Sequence, residues 1–148
     1  TPGIDNREEI ENGEFEDSPV TSKKRIEIVE FAKKQLGVPY VWAGIDTKGF
    51  DCSGFTGYVM KEFGANIPRR AVDQEKSSRK VKQKNVQKGD LVFFDNGSGI
   101  SHVGIIVSDK GAPVHMIHAS SSKGIVITDI TESDYWKQRL HSFGTYVE

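Results

Sequence analysis

One cysteine, Cys52, stands in the whole chain, so no internal disulfide can form and no multi-cysteine metal site can be built. No run approaches the ~18 consecutive apolar residues that a membrane-spanning helix needs. The opening residues lack a basic stretch followed by an apolar one, so no signal peptide is read here; a processed or trimmed protein would look the same. A dominant charge is missing too: 20 Lys and Arg against 21 Asp and Glu leave a net charge of −1. Without an overall basic field, no nucleic-acid partner is expected. No internal repeat is visible. What remains is ordinary for a soluble globular chain, 36% hydrophobic and 28% charged over 148 residues, long enough for one packed core.

The charge that is present is uneven. Residues 5–17 hold seven acids against Arg7, and residues 75–88 hold six bases against Glu75. Solvated surface explains both, with contact to an anionic polymer as the alternative for the basic stretch. Residues 1–21 read as a polar acidic tail or linker, and 22–148 as the folded domain. A helix is expected over about 22–36, with Ile26, Val29, Ala32 and Leu36 on one stripe, Thr21 or Ser22 as cap, and Gly37 then Pro39 as stop. A second helix is expected over about 52–63, capped by Asp51 and ended by Gly64, and a short one over about 70–76. Strands are expected over 91–94, 102–107, 114–119, 125–130 and 140–147, separated by Gly- and Ser-rich turns. Helices first and strands after imply an α+β fold, with the helices on one face of an antiparallel sheet of about five strands.

Asp51 as cap places Cys52 in the first turn of its helix. Unpaired backbone N–H groups and the helix dipole there favour a thiolate, and the same N–H groups can hold an oxyanion. A buried structural cysteine is the plain alternative. A three-residue turn at Asp109, Lys110 and Gly111 pairs Ser108 with Ala112 and puts His102 directly opposite His118, on one face of the sheet. A general base and a group that orients it need that closeness. His115 falls on the other face, and His141 on a separate strand. A one-residue slip would separate His102 from His118, and Pro113 makes room for one. Zinc is the competing use of His102, His118 and Cys52, but no tightly spaced ligand motif is present. The expectation is a Cys52 nucleophile with His102 as its base, and neither metal nor cofactor.

The segments Pro39-Tyr40-Val41-Trp42-Ala43-Gly44, Phe50-Asp51-Cys52-Ser53-Gly54-Phe55, Gly89-Asp90-Leu91-Val92-Phe93-Phe94, Ser101-His102-Val103-Gly104-Ile105 and Ile117-His118-Ala119 together resemble the NlpC-type family of bacterial cell-wall cysteine peptidases. The resemblance covers about residues 24–147, with the blocks in family order. It implies a papain-like fold and cleavage of the bond between γ-D-glutamate and a diamino acid in peptidoglycan stem peptides. It assigns Cys52 as nucleophile, His102 as base and His118 as the residue that orients it. Tyr40 matches a tyrosine whose hydroxyl lies beside the nucleophile; a strand-edge aromatic is the plainer reading. Asp51 is expected to cap the helix and to receive the amino end of a short stem peptide, although capping alone explains it. Ser53 and Ser101, beside the nucleophile and the base, join Tyr40 and Asp51 as expected oxyanion or substrate-binding residues. The chain has Ala43 where the resemblance calls for glycine, which matters only if φ must be positive there.

The resemblance also implies a secreted, periplasmic or envelope-associated protein, and a monomer is expected. Two rivals stand beside the endopeptidase. An amidase, transpeptidase or acyltransferase would use the same nucleophile and base on another acyl donor. A wall-binding domain without catalysis would bind fragments and release no product.

Overall fold

The structure, a computed structural model, describes residues 21–147. The expected acidic tail, residues 1–21, therefore lies outside the described residues but for Thr21. Helix α1 (Lys23–Lys33) starts where Ser22 accepts the Arg25 N–H, and it buries Ile28, Val29 and Ala32. The expected stripe is displaced: Ile26 is 41% exposed, since the buried face runs through Ile28, Val29 and Ala32, and Leu36 is 46% exposed because the helix stops at Lys33. Gly37, at φ 89°, then turns the chain. A two-stranded ribbon, β1 (Ile45–Asp46) with β2 (Gly49–Phe50), leads into α2 (Cys52–Glu62). Helix α3 (Ala71–Ser77) follows, close to expectation.

The main sheet has six antiparallel strands where about five were expected. These are β3 (Arg79–Val81), β4 (Leu91–Asp95), β5 (Ile100–Ile106), β6 (His115–Ser120), β7 (Gly124–Asp129) and β8 (Leu140–Thr145), in the order β3-β8-β4-β5-β6-β7. The added strand, β3, is short, basic and at the sheet edge; its charges blunt an exposed edge and leave no apolar alternation to read. A short helix, α4 (Asp134–Arg139), was also not expected. It is capped by Ser133, which accepts the Trp136 N–H.

Both faces of the sheet are covered. Leu91 and Phe93 of β4, Val103 and Ile105 of β5, and Ile117 and Ala119 of β6 join Ile28, Phe50, Phe55 and Val59 in the larger core under α1 and α2. Val92, Phe94, Ile106 and Met116 point the other way, into a second cluster closed by Ile130, Phe143 and Trp136. Double burial is why residues 91–94 read as an unbroken apolar run. Each fully buried Phe or Ile contributes on the order of 1.5–3 kcal/mol to folding.

The β5–β6 register differs from expectation by two residues. Ile105 pairs with Ile117 and Ile106 with Met116, while the Val107 N–H reaches the His115 carbonyl. The connection is thus wider than a three-residue turn, and Pro113, with no N–H to give, cannot extend the ladder. A slip of two keeps every side chain on its face. His118 now faces Gly104, whose missing side chain leaves room for it: a Cβ there would come within 3.2 Å of the His118 Cβ. His102 lies diagonally across from His118 instead of directly opposite.

The loop before α2 carries strain. Ala43 sits at φ 62°, the left-handed region that glycine adopts freely and alanine does not. Ala43→Gly is expected to raise stability by about 0.5–1 kcal/mol, read as a higher denaturant midpoint. An unchanged or lower midpoint would contradict this account of the loop.

Candidate active site

The start of α2 is fixed by a dense set of bonds. Asp51 Oδ1 accepts the Gly54 N–H at 2.6 Å, capping the helix as expected. The Asp51 N–H reaches back to the Gly44 carbonyl at 3.0 Å, and a Cβ on Gly54 would run into that same carbonyl oxygen. Helix and loop thus meet at a distance only glycine allows. Arg69 grips Asp51 with both ends of its guanidinium, at 3.2 Å and 2.7 Å, and donates to Ser53 Oγ at 2.8 Å. Beneath them Gln74, fully buried, donates to the carbonyls of Ser53 and Pro68 and accepts from Thr56 Oγ1. Arg69 and Gln74 were not singled out in the sequence, since an Arg and a Gln carry no signal until the fold brings them under Cys52.

Cys52 therefore sits where the helix N-terminus was expected to put it. Its Sγ lies 3.9 Å from the Ser101 carbonyl. Burial pushes the thiol up and the Asp51 carboxylate adds to that, while the amide groups of Val103, Ser53 and Cys52 itself pull it down. The net direction is upward. The helix N-terminus favours a thiolate as expected, yet in this cleft it is outweighed by desolvation.

The two histidines meet. His102 Nε2 lies 2.9 Å from His118 Nδ1, and His118 Nε2 lies 2.9 Å from Thr128 Oγ1 of β7. Trp136 covers them both, stacked on the His102 ring at 4.9 Å and 28° and edge-on to His118 at 5.3 Å. Burial lowers His102 to about 3, with His118 beside it adding to the effect, and burial lowers His118 to about 4. Both are neutral near pH 7. Thr128 and Trp136 escaped the sequence reading because neither the β6–β7 register nor α4 was visible in it. His115 and His141 stay away from this pair: His115 bonds the Pro113 carbonyl and His141 bonds Ser142.

Of the residues singled out from sequence, Tyr40, Cys52, Ser101, His102 and His118 line one cleft of about 470 Å³. Asp51 and Ser53 line an adjoining one of about 390 Å³, and Cys52 and Ser101 border both. Tyr40 is half-buried; burial raises its hydroxyl, and nearby Cys52 and Asp51 add to that. Ser101 turns its carbonyl, not its hydroxyl, to the sulfur. Both Asp51 oxygens are engaged by the cap and by Arg69, as the bonds above require. Among the described residues no group of three or more His, Cys, Asp or Glu is arranged to hold a metal ion. No described helix is long and apolar enough to cross a membrane.

Comparison with known proteins bears on this cleft. A family model described as the NlpC/P60 family matches residues 37–145. The chain is 44% identical over 117 residues to a protein of Listeria seeligeri named as a probable endopeptidase p60, covering 79% of this chain and 21% of that protein. It is 40% identical over 119 residues to a γ-DL-glutamyl hydrolase of Bacillus subtilis (strain 168), covering 78% of this chain and 28% of the relative. The chain thus spans less than a third of the length of either relative. An NlpC/P60 family protein from Bacillus cereus ATCC 10987, known from its crystal structure, superposes with a TM-score of 0.78 at 28% identity, over 87% of this chain and 42% of that one.

Two histidines held neutral in the fold have a consequence for stability. Below about pH 6.5 the unfolded chain binds protons at both that the folded chain refuses until about pH 3–4, so acid favours unfolding across that window. Between pH 7 and 5 the denaturant midpoint is expected to fall, with a limiting slope of about 1.4 kcal/mol per pH unit for each histidine. His118→Asn is expected to flatten that fall. A midpoint that does not move with pH would contradict the burial of the pair.

Proposed function

The chain belongs to the NlpC/P60 family, and from that premise we propose that it is a cysteine endopeptidase of the bacterial cell wall. Its substrate on this reading is the bond between γ-D-glutamate and a diamino acid in peptidoglycan stem peptides. The observation that carries the reading is that Cys52, His102 and His118 line one cleft, with His102 bonded to His118 and His118 bonded behind it to Thr128. The names of the relatives, an endopeptidase and a γ-DL-glutamyl hydrolase, support the reaction and the bond. Action on the wall would place the protein outside the cytoplasm: secreted, periplasmic or held at the envelope.

The proposed chemistry fixes where the protons must sit. With His102 Nε2 committed to His118, Nδ1 is the ring nitrogen left for the Cys52 thiol. To accept that proton Nδ1 must be bare, so the other ring nitrogen carries its hydrogen and donates to His118 Nδ1. His118 in turn donates from Nε2 to Thr128 Oγ1. On this reading the His102–His118 and His118–Thr128 bonds are donated in the same direction, and the chemistry requires one tautomer of His102.

Both partners start neutral, so the charges appear together. As the sulfur attacks the amide carbonyl, its proton passes to His102 Nδ1, the S–C bond forms and the carbonyl electrons move to oxygen. The first N–H groups of α2 and the Tyr40 hydroxyl are the donors for that oxyanion. His118, itself held neutral by burial, leaves the positive charge on His102, where the leaving amine collects the proton. Water, deprotonated by His102, then opens the thioester and restores the thiol. Trp136 lays its face on His102, which keeps water off the ring and offers a π-surface to the imidazolium when it forms.

The direct test is mass spectrometry of L-Ala-γ-D-Glu-diamino-acid peptides incubated with the wild type and with Cys52→Ala. Cleavage at the γ-D-glutamyl bond by the wild type alone is the expected result; equal cleavage by the variant, or a cut elsewhere, would overturn the reading. Thr128→Val removes the hydroxyl behind His118 at little change in volume. It is expected to lower kcat about tenfold with KM unchanged, through loss of a buried bond worth ~1–1.5 kcal/mol. A variant with unchanged kcat would remove Thr128 from the mechanism.

A further inference from the structure

Cys52 stands between two clefts, and the proposed chemistry tells them apart. His102 must hand a proton to the leaving amine, so the leaving half of the substrate lies in the cleft that holds the histidines. The acyl half then lies on the side of Asp51, Ser53 and Arg69. The leaving-side cleft is lined by hydroxyls, an amide and aromatic rings, and by no carboxylate among the described residues. Its single permanent charge is Arg139, the last residue of α4.

Arg139 is held in place. Its Nη1 donates to the Tyr135 carbonyl one turn back at 2.9 Å, and its Cζ lies 3.8 Å from the Tyr135 ring centroid. A guanidinium laid flat on a ring loses little freedom on binding, and its planar edge matches the two oxygens of a carboxylate. The hydroxyls of Ser120, Ser121 and Ser122 line the same cleft and can serve an amino group beside that carboxylate.

We infer that Arg139 is a specificity-determining residue, selecting a leaving diamino acid whose side chain ends in a carboxylate, of the diaminopimelate kind. This rests on the endopeptidase reading above. A lysine in that position would bring an ammonium group toward a fixed cation with no anion near it, so the same residue attracts one substrate and rejects the other. The device costs only six residues of helix between β7 and β8, and it leaves the nucleophile and base untouched.

The experiment compares kcat/KM on three peptides: L-Ala-γ-D-Glu followed by diaminopimelate, by diaminopimelate with its side-chain carboxylate amidated, and by L-lysine. The wild type is expected to favour the free carboxylate by roughly ten- to a hundredfold, mostly through KM. Arg139→Gln should bring the ratio between peptides close to one, and Arg139→Lys should restore part of it. The ratio is the readout because damage to the fold would lower all three rates together. Equal rates on the three peptides, or a preference that survives in Arg139→Gln, would overturn this inference alone. A wild type that cuts none of them would overturn the endopeptidase reading, and this inference with it.

Discussion

Where α2 begins decides everything at this cleft. The proposed nucleophile in the first helical turn is useful only if that turn is held still, and here it is held from three sides. Asp51 caps it, the Gly44 carbonyl lies against Gly54 too closely for any side chain, and Gln74 ties the Ser53 carbonyl to the neighbouring loop from below. Arg69 then locks the capping carboxylate itself. Truncating Gln74 would remove its donors from the Pro68 and Ser53 carbonyls and leave Thr56 Oγ1 as the side-chain donor to Ser53, a cost of ~1–3 kcal/mol. The strained Ala43 belongs to the same loop, so the site stores some unfavourable backbone energy beside its most constrained contact.

The second constraint is parity. Side chains on a strand alternate, so His102 and His118 share a face only if β5 and β6 are offset by an even number of residues. The sheet satisfies this with Gly104 opposite His118, and the short α4 between β7 and β8 then lays Trp136 over both rings. Burial achieved in this way has two sides. It keeps both imidazoles neutral, and burial of Cys52 likewise raises its thiol; on the proposed mechanism the charge separation is therefore deferred to the moment of attack.

Much of this was legible in the sequence. The helix cap at Asp51, the position of Cys52 and the main strands follow from local rules of capping, turn residues and β-branched runs. The His102 and His118 pair was legible for a subtler reason: the turn was misjudged, the register moved by two, and a shift of two preserves the face. The rest was hidden because it depends on tertiary placement. β3 carries Arg79 and Lys80 instead of an apolar alternation, and α4 is too short for a periodic signal. Arg69, Gln74, Thr128 and Trp136 acquire meaning only when strands and loops distant in sequence are brought under Cys52 and His102. The α1 stripe failed at Leu36 because the helix ends at Lys33, and at Ile26 because the buried face is centred on Ile28, Val29 and Ala32.

The account stands or falls on a covalent intermediate formed on the acyl side of the bond. An activated aryl ester of L-Ala-γ-D-Glu, which acylates faster than water can release it, would be mixed with the protein and quenched in acid, and the intact mass and its position then read by mass spectrometry. The account predicts a mass increase equal to the L-Ala-γ-D-Glu acyl group, located on Cys52 and lost with time at neutral pH. No increase, or an adduct on another residue, would contradict it.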